Sequence, residues 1–314
     1  MDKRLIFMGT PDFAVSSLER LVDEGLHIIA VITAPDKAAG RGLQTSQSAV
    51  KKYALEKNLK VLQPLNLKDP DFLSELSSLK ADLQVVVAFR MLPEAVWNMP
   101  PSGTINLHAS LLPQYRGAAP INWVIINGET ETGVTTFRLK HEIDTGNILM
   151  QQKIPIGKEE TAGELYNRMK EAGALLLLQT VQGINDQNIH EIPQDNVTKN
   201  IVTGKENILH NAPKIITETC RIDWNKNTEE VWNLVRGLSP YPAAFTIFKN
   251  KTIKIFNADK EITPISKSPG EIESDHKTFL KFACRNGFIS IRELQLEGKK
   301  KMNVEEFLRG FRNL

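Results

Sequence analysis

Apolar residues come in short runs separated by helix-spaced segments, and the two alternate as far as Ile184. Arg4 to Gly9 has the pattern of a buried strand closed by a glycine turn. Thr10 is placed to cap the following helix, with Pro11 at its first position and Phe13, Val15, Leu18, Leu21 and Val22 toward the core. His27 to Thr33 predicts a second strand, Val50 to Lys57 a helix, Val61-Leu62 a short strand and Asp69 to Leu79 another helix. The Val-rich run Asp82 to Phe89 predicts a strand buried on both faces. After a short helix at Pro93 to Met99, residues 103–108 form a strand with Ile105 and Leu107 on one face and Asn106 and His108 on the other. A helix at Ile121 to Asn127, strands at Thr132 to Leu139 and Ile148 to Ile156, and a helix from Thr161 to Ile184 complete the series. Thr161 and Glu164 have capping-box spacing. Strand–helix alternation of this kind specifies an α/β fold with a mostly parallel sheet.

The pattern changes twice after that. Asn185 to Asn211 is polar and reads as an interdomain linker. Beyond a helix at Thr228 to Gly237, alternating runs at 245–248, 252–258, 279–284 and 288–296 are separated by turns such as Lys249-Asn250-Lys251 and Asn286-Gly287. Period-two runs with such turns fit several β folds, a small antiparallel barrel among them. At 314 residues the chain suits two domains, and its 41% hydrophobic and 24% charged content is that of a globular protein. No apolar run has the length of a membrane span, and the run before Gly9 is too short for a secretory signal, so a cytoplasmic location with no membrane partner is expected. Cys220 and Cys284 lack CxxC or Cys/His neighbours, and the six histidines show no HxxxH spacing, so no metal site is expected. The net charge of +2 hides an asymmetry: residues 205–314 hold 19 Lys and Arg against 14 Asp and Glu, leaving 20 against 23 for residues 1–204. A basic C-terminal part admits a nucleic-acid-facing domain or a plain solvated surface.

Candidate chemistry gathers at the end of strand 103–108. Asn106 and His108 precede the turn Ser110-Leu111-Leu112-Pro113, and Asp144 lies in a second turn, HEIDTG at 141–146. Ligands of open α/β sheets bind beyond the carboxyl ends of the strands. An amide, an imidazole and a carboxylate there can hold a carbonyl, move a proton and fix a charge. Aspartic-protease chemistry needs a second carboxylate motif, and DTG occurs once. MGTPDF has one glycine where GxGxxG needs three, which excludes the usual dinucleotide site. The long loop Pro35 to Ser48 carries small residues and cations suited to phosphates.

NLHASLLPQYRGAAPINW followed by TGVTTFRLKHEIDTG resembles the folate-dependent formyltransferases. MGTPDFAV, PDKAAGRG at 35–42 and RIDW at 221–224 narrow the likeness to members that formylate methionyl-tRNA. The resemblance implies a Rossmann-like catalytic domain over 1–188, a linker over 189–207 and an OB-like tRNA-binding barrel over 208–314. It implies 10-formyltetrahydrofolate as formyl donor and initiator methionyl-tRNA as acceptor, handled by a monomer without metal. Asn106, His108 and Asp144 are the implied catalytic residues, Ser110, Leu111, Leu112 and Pro113 line the folate site, and Lys37, Arg41 and Lys51 meet tRNA. Two positions depart from the family pattern: Arg90, where Gly commonly follows the aromatic residue, and Glu142, where Gly precedes the Asp by two. An amino-sugar nucleotide is the alternative acceptor, and a non-catalytic tRNA-binding relative the alternative class. The AGRG loop and the basic C-terminal part favour tRNA, and retention of Asn106, His108 and Asp144 together favours an enzyme.

Overall fold

A computed structural model of the chain describes residues 3–39, 44–202 and 208–310. In chain order the strands are β1 (Leu5–Gly9), β2 (Ile28–Ile32), β3 (Lys37–Ala39), β4 (Gln44–Ser46), β5 (Val61–Leu62), β6 (Leu83–Val87), β7 (Thr104–His108), β8 (Arg116–Gly117), β9 (Glu131–Arg138) and β10 (Ile148–Pro155). β11 (Asn211–Ala212), β12 (Ala244–Phe248), β13 (Lys251–Ile262), β14 (Ile272–Ser274), β15 (Leu280–Cys284), β16 (Gly287–Leu296) and β17 (Met302–Asn303) follow. The helices are α1 (Asp12–Asp23), α2 (Ala49–Glu56), α3 (Pro70–Ser78), α4 (Glu94–Trp97), α5 (Pro120–Ile126), α6 (Ala162–Asn185), α7 (Gln194–Val202), α8 (Thr217–Cys220), α9 (Thr228–Leu238) and α10 (Val304–Gly310).

The chain divides into two compact units. One comprises Met1–Gly117, Gly133–Ile154 and Asn167–Asn211, the other Ala118–Thr132, Pro155–Tyr166 and Ala212–Leu314. The first is built on a seven-stranded sheet ordered β10-β9-β7-β6-β1-β2-β5. Pairs β1–β2, β1–β6, β2–β5 and β6–β7 are parallel and β7–β9 is antiparallel, a Rossmann-like, mostly parallel sheet. The chain works outward from β1 in one direction, then returns to place β6 and β7 on its other side, so the order reverses between β1 and β6. Gly9 closes β1 where a Cβ would lie 2.6 Å from Ala14 Cβ and 3.0 Å from the Val87 carbonyl, so this glycine serves close helix–strand packing. Thr10 does not cap α1. The N-cap is Pro11, with no side-chain cap bond, and the helix starts one residue later than its sequence implied.

Register fixes which face the site uses. Met8 pairs with Val86 and Val86 with Asn106, and Met8 and Val86 belong to the cluster formed with Phe72, Leu76 and Val96 of α3 and α4. Leu107 points the other way, into α6, where a Cβ on Gly173 would come within 2.9 Å of Leu107 Cδ2. On that face the Thr136 and Thr180 hydroxyls also bond at 2.8 Å. Asn106 and His108 therefore turn away from α6. Helix α7 departs from expectation, because it lies within the stretch read as a linker. Its helical state rests on tertiary packing of Val197 against Leu112, Phe137 and Ile148, which no local periodicity announces.

The second unit carries an antiparallel sheet ordered β12-β13-β16-β15-β14, with β17 on β16. Register shifts between Ile255 and Ala258 bend the long β13, giving the half-barrel curvature of an OB-like fold. RIDW is structural in this unit: Ile222 is in the core, and Trp224 stacks on Phe282 at 4.6 Å while donating to the Thr246 hydroxyl at 3.0 Å. Helix α9 starts with a capping box between Asn227 and Glu230. Thr161 and Glu164 form the reciprocal bonds their spacing predicted.

A crowded contact in the first unit gives a stability prediction. A Cβ on Gly133 would lie 2.2 Å from the Gln152 carbonyl oxygen and 2.4 Å from Leu111 Cδ2. Replacing Gly133 by Ala is expected to cost about 2–3 kcal/mol, as overpacking against backbone does. Urea denaturation measures this, and an unchanged midpoint would contradict it.

Candidate active site

The site grows from the carboxyl end of β7. Asn106 and His108 lie two residues apart on one strand face, so their Cβ atoms are separated by about 7 Å. Asn106 is half-buried, and its amide has no hydrogen-bond partner among the described residues. His108 is buried, and its Nε2 lies 2.9 Å from the Tyr115 carbonyl oxygen. A carbonyl only accepts, so Nε2 carries the proton and Nδ1 is left for other work. Nδ1 sits 3.9 Å from Asp144 Oδ2, with the two side chains 7% and 13% exposed. That separation exceeds a hydrogen bond but keeps opposite charges in mutual reach. The same Oδ2 accepts from the Gly117 N–H at 3.0 Å. Asp144 has φ of 53°, a left-handed conformation that aspartate tolerates better than most residues.

Thr135 stitches the SLLP turn to the sheet. It stands opposite His108 in register and is fully buried. Its hydroxyl donates to the Ser110 carbonyl at 2.6 Å and accepts from Leu112 N–H at 3.2 Å and from Gln151 Nε2 at 2.9 Å. Gln151 Nε2 also reaches the Leu112 carbonyl at 2.8 Å. The Ser110 hydroxyl donates to the Gln114 carbonyl at 2.6 Å. Of the four turn residues, Ser110, Leu112 and Pro113 are buried, and Leu111 alone keeps surface. A ligand at this turn would meet Leu111 and peptide groups, not the Ser110 hydroxyl.

The profile described as formyl transferase matches residues 3–181, and that of the formyl transferase C-terminal domain matches residues 214–312. The chain belongs to the formyl transferase family. Its relatives include the methionyl-tRNA formyltransferase of Bacteroides fragilis, 50% identical over 315 residues, covering 99% of this chain and 95% of that protein. The methionyl-tRNA formyltransferase of Flavobacterium johnsoniae is 50% identical over 312 residues, covering 98% and 96%. Among solved structures, the N-formyltransferase of Helicobacter canadensis in complex with folinic acid and dTDP-3-aminofucose shares the fold, with TM-score 0.67, 22% identity and coverage of 96% of this chain and all of that one. HypX from Aquifex aeolicus in complex with tetrahydrofolic acid aligns with TM-score 0.62 and 21% identity, over 99% of this chain and 48% of HypX.

Within this formyl transferase the two departures from the family pattern have local explanations. The left-handed residue after β6 is Ala88, with φ of 47°, so Arg90 is not asked to adopt that conformation. The Arg90 guanidinium instead donates to the carbonyls of Leu65, at 2.9 Å, and Pro64. Glu142 is exposed, and its carbonyl accepts from the Thr145 hydroxyl at 3.0 Å. Residues that sequence reasoning missed are Thr135, Gln151, Tyr115 and Gln194. Polar residues within apolar strands were the available signal for the first two; Gln194 gave none.

Contacts among the described residues brace the cationic loop on both sides of residues 40–43. Strands β3 and β4 pair antiparallel, and Lys37 is exposed at the start of β3. Arg41 lies outside the described residues. Lys51 is not a free cation: its Nζ is 2.6 Å from Asp36 Oδ2 and its side chain is 15% exposed. Gln63 Nε2 donates to Asp36 Oδ1 at 2.8 Å and to the Ala34 carbonyl at 2.7 Å. Hydrogen bonds from Gln63 and then Lys51 hold the Asp36 carboxyl below its ordinary value of 3.8. A depressed carboxyl contributes stability above its unfolded pKa and loses it as pH falls toward the folded value. Asp36→Asn should therefore lower stability near neutral pH, and the gap from wild type should narrow between about pH 5 and about pH 3. Urea denaturation at several pH values checks this, and a gap independent of pH would contradict it.

Proposed function

We propose that this protein transfers the formyl group of 10-formyltetrahydrofolate to the free amino group of methionyl-initiator-tRNA, giving N-formylmethionyl-tRNA for translation initiation. The observation that carries the reading is the approach of Asp144 to within 3.9 Å of His108 on β7, the strand that also presents an Asn106 amide with no hydrogen-bond partner among the described residues. Half identity along the whole chain to proteins named methionyl-tRNA formyltransferase supports this acceptor over an amino-sugar nucleotide.

The reduced folate supplies an activated formyl group and a nitrogen leaving group. Attack by an amine drives negative charge onto the formyl oxygen, and a donor already in position lowers that barrier. Asn106 is suited to be that donor because its N–H groups have no acceptor among the described residues. His108 can exchange a proton only at Nδ1, since Nε2–H is committed to Tyr115. Asp144 faces Nδ1 and stabilises the imidazolium that forms when the proton arrives. Its other contact, Gly117 N–H, fixes which oxygen does so.

Leu111 and neighbouring peptide groups of the Ser110–Pro113 turn form the proposed edge of the folate site. Lys37 and Arg41 are the proposed tRNA phosphate contacts, and Lys51 supports the base of that loop through Asp36. The functional division follows the sequence reading: a catalytic part over 1–188, a connection over 189–207 and a tRNA-facing barrel over 208–314, in a cytoplasmic monomer.

Incubation with 10-formyltetrahydrofolate and either methionyl-tRNA, an amino-sugar nucleotide or glycinamide ribonucleotide tests the assignment. Formylation of methionyl-tRNA is expected, and preference for another acceptor overturns it. His108→Ala should slow transfer roughly 10²–10⁴-fold, the worth of a positioned acid/base. Turnover within a few-fold of wild type would remove His108 from the mechanism.

A further inference from the structure

We propose that Gln194 is a positioning residue for the reaction, holding the Asp144 turn and Arg116 in the one arrangement that aims the carboxylate at His108. The proposal rests on the catalytic reading of Asp144 given above. Gln194 opens α7 and is 2% exposed. Its Nε2 donates to the Asp144 carbonyl at 2.8 Å and to the Gly146 carbonyl at 2.8 Å. Its Oε1 accepts from Arg116 Nε at 3.1 Å and Nη2 at 2.6 Å. An amide NH₂ has two protons and its oxygen two lone pairs, so every hydrogen-bonding position of this buried side chain is filled.

The placement of those four bonds is what matters. One end of the amide ties the carbonyls on both sides of the Asp144–Thr145–Gly146 turn, where Asp144 is held at a left-handed φ of 53°. The other end grips Arg116, whose neighbour Gly117 donates its N–H to Asp144 Oδ2. A single side chain thus sets both ends of the bond that orients the carboxylate, 3.9 Å from His108 Nδ1. Misplacement of a reacting group by about 1 Å can cost about 10²-fold in rate.

Neighbouring contacts anchor this segment without Gln194. Ile192 and Ile148 exchange backbone hydrogen bonds at 2.8 Å, Glu191 bonds Arg138 at 2.9 Å and Asn147 at 3.1 Å, and Val197 packs on the Leu112 cluster. Substitution of Gln194 therefore disturbs the turn more than it disturbs the fold. Gln194→Glu keeps the volume and an acceptor for Arg116 but puts an oxygen against two carbonyl oxygens. Gln194→Met keeps the length and removes all four bonds.

The test is steady-state and single-turnover kinetics of the full chain with 10-formyltetrahydrofolate and methionyl-tRNA, beside thermal melts. For Gln194→Glu we expect kcat to fall about tenfold or more, with KM for either substrate within about threefold and the melting temperature within a few degrees. Because Gln194 acts through Asp144, the same substitution in an Asp144→Asn background should change the single-turnover rate less than about twofold. A loss that persists undiminished in that background, or kcat within twofold of wild type in both Gln194 variants, overturns the proposal. So does a collapse of thermal stability in both variants, which would make the residue structural. If Asp144→Asn alone keeps wild-type turnover, the catalytic reading fails instead, and the two failures are distinguishable.

Discussion

The hydrogen bond from His108 Nε2–H to the Tyr115 carbonyl is the contact on which the site depends. It fixes the tautomer and ring orientation and leaves Nδ1 facing Asp144. Tyr115 can present that carbonyl because its own φ is 58° and its N–H donates to the His210 carbonyl at 2.7 Å, with the two rings stacked at 5.5 Å. The imidazole is thus held by a turn that is itself held from a segment about a hundred residues further along the chain. Asp144 stands at 3.9 Å from Nδ1 without a direct hydrogen bond, held there by the Gly117 N–H.

Polar groups buried around the turn are satisfied in a chain of bonds that also sets its shape. The Thr135 hydroxyl takes three partners from the turn and from β10, and each would be costly to leave unpaired in the interior. This network ties the SLLP segment to β9 and β10, and most of the segment is withdrawn from solvent. Its apolar residues accordingly act first as packing, with Leu112 seated on Phe137 and Ile148. The same logic applies to Lys51 and Asp36, which pair at 2.6 Å and tie α2 to the residues before β3.

Much of the architecture was legible in sequence. The strand–helix alternation, the Val-rich β6, the alternation of Asn106 and His108 against Ile105 and Leu107, the capping box at Thr161 and the hairpin-like runs of the second unit all appear where the pattern implied. These features depend on contacts within a few residues, so they can be read locally. The helical state of α7 and the left-handed Ala88 could not be read that way. Val197 finds its partners in Leu112, Phe137 and Ile148, residues remote in sequence, and Arg90 finds its acceptors in Pro64 and Leu65.

By itself the sequence determined which side chains stand together on β7 and which turn carries the carboxylate, because the two-residue period of a strand and the chemistry of a DTG turn are local properties. Only the tertiary structure decided that Asp144 faces Nδ1, that Tyr115 claims Nε2, and that a glutamine from the polar stretch after α6 is buried beneath the turn. Those outcomes follow from hydrogen bonds across 7 and 50 positions of chain and from a close approach of charge-bearing groups across 36. Each is selected by the need to satisfy polar groups that folding removes from water.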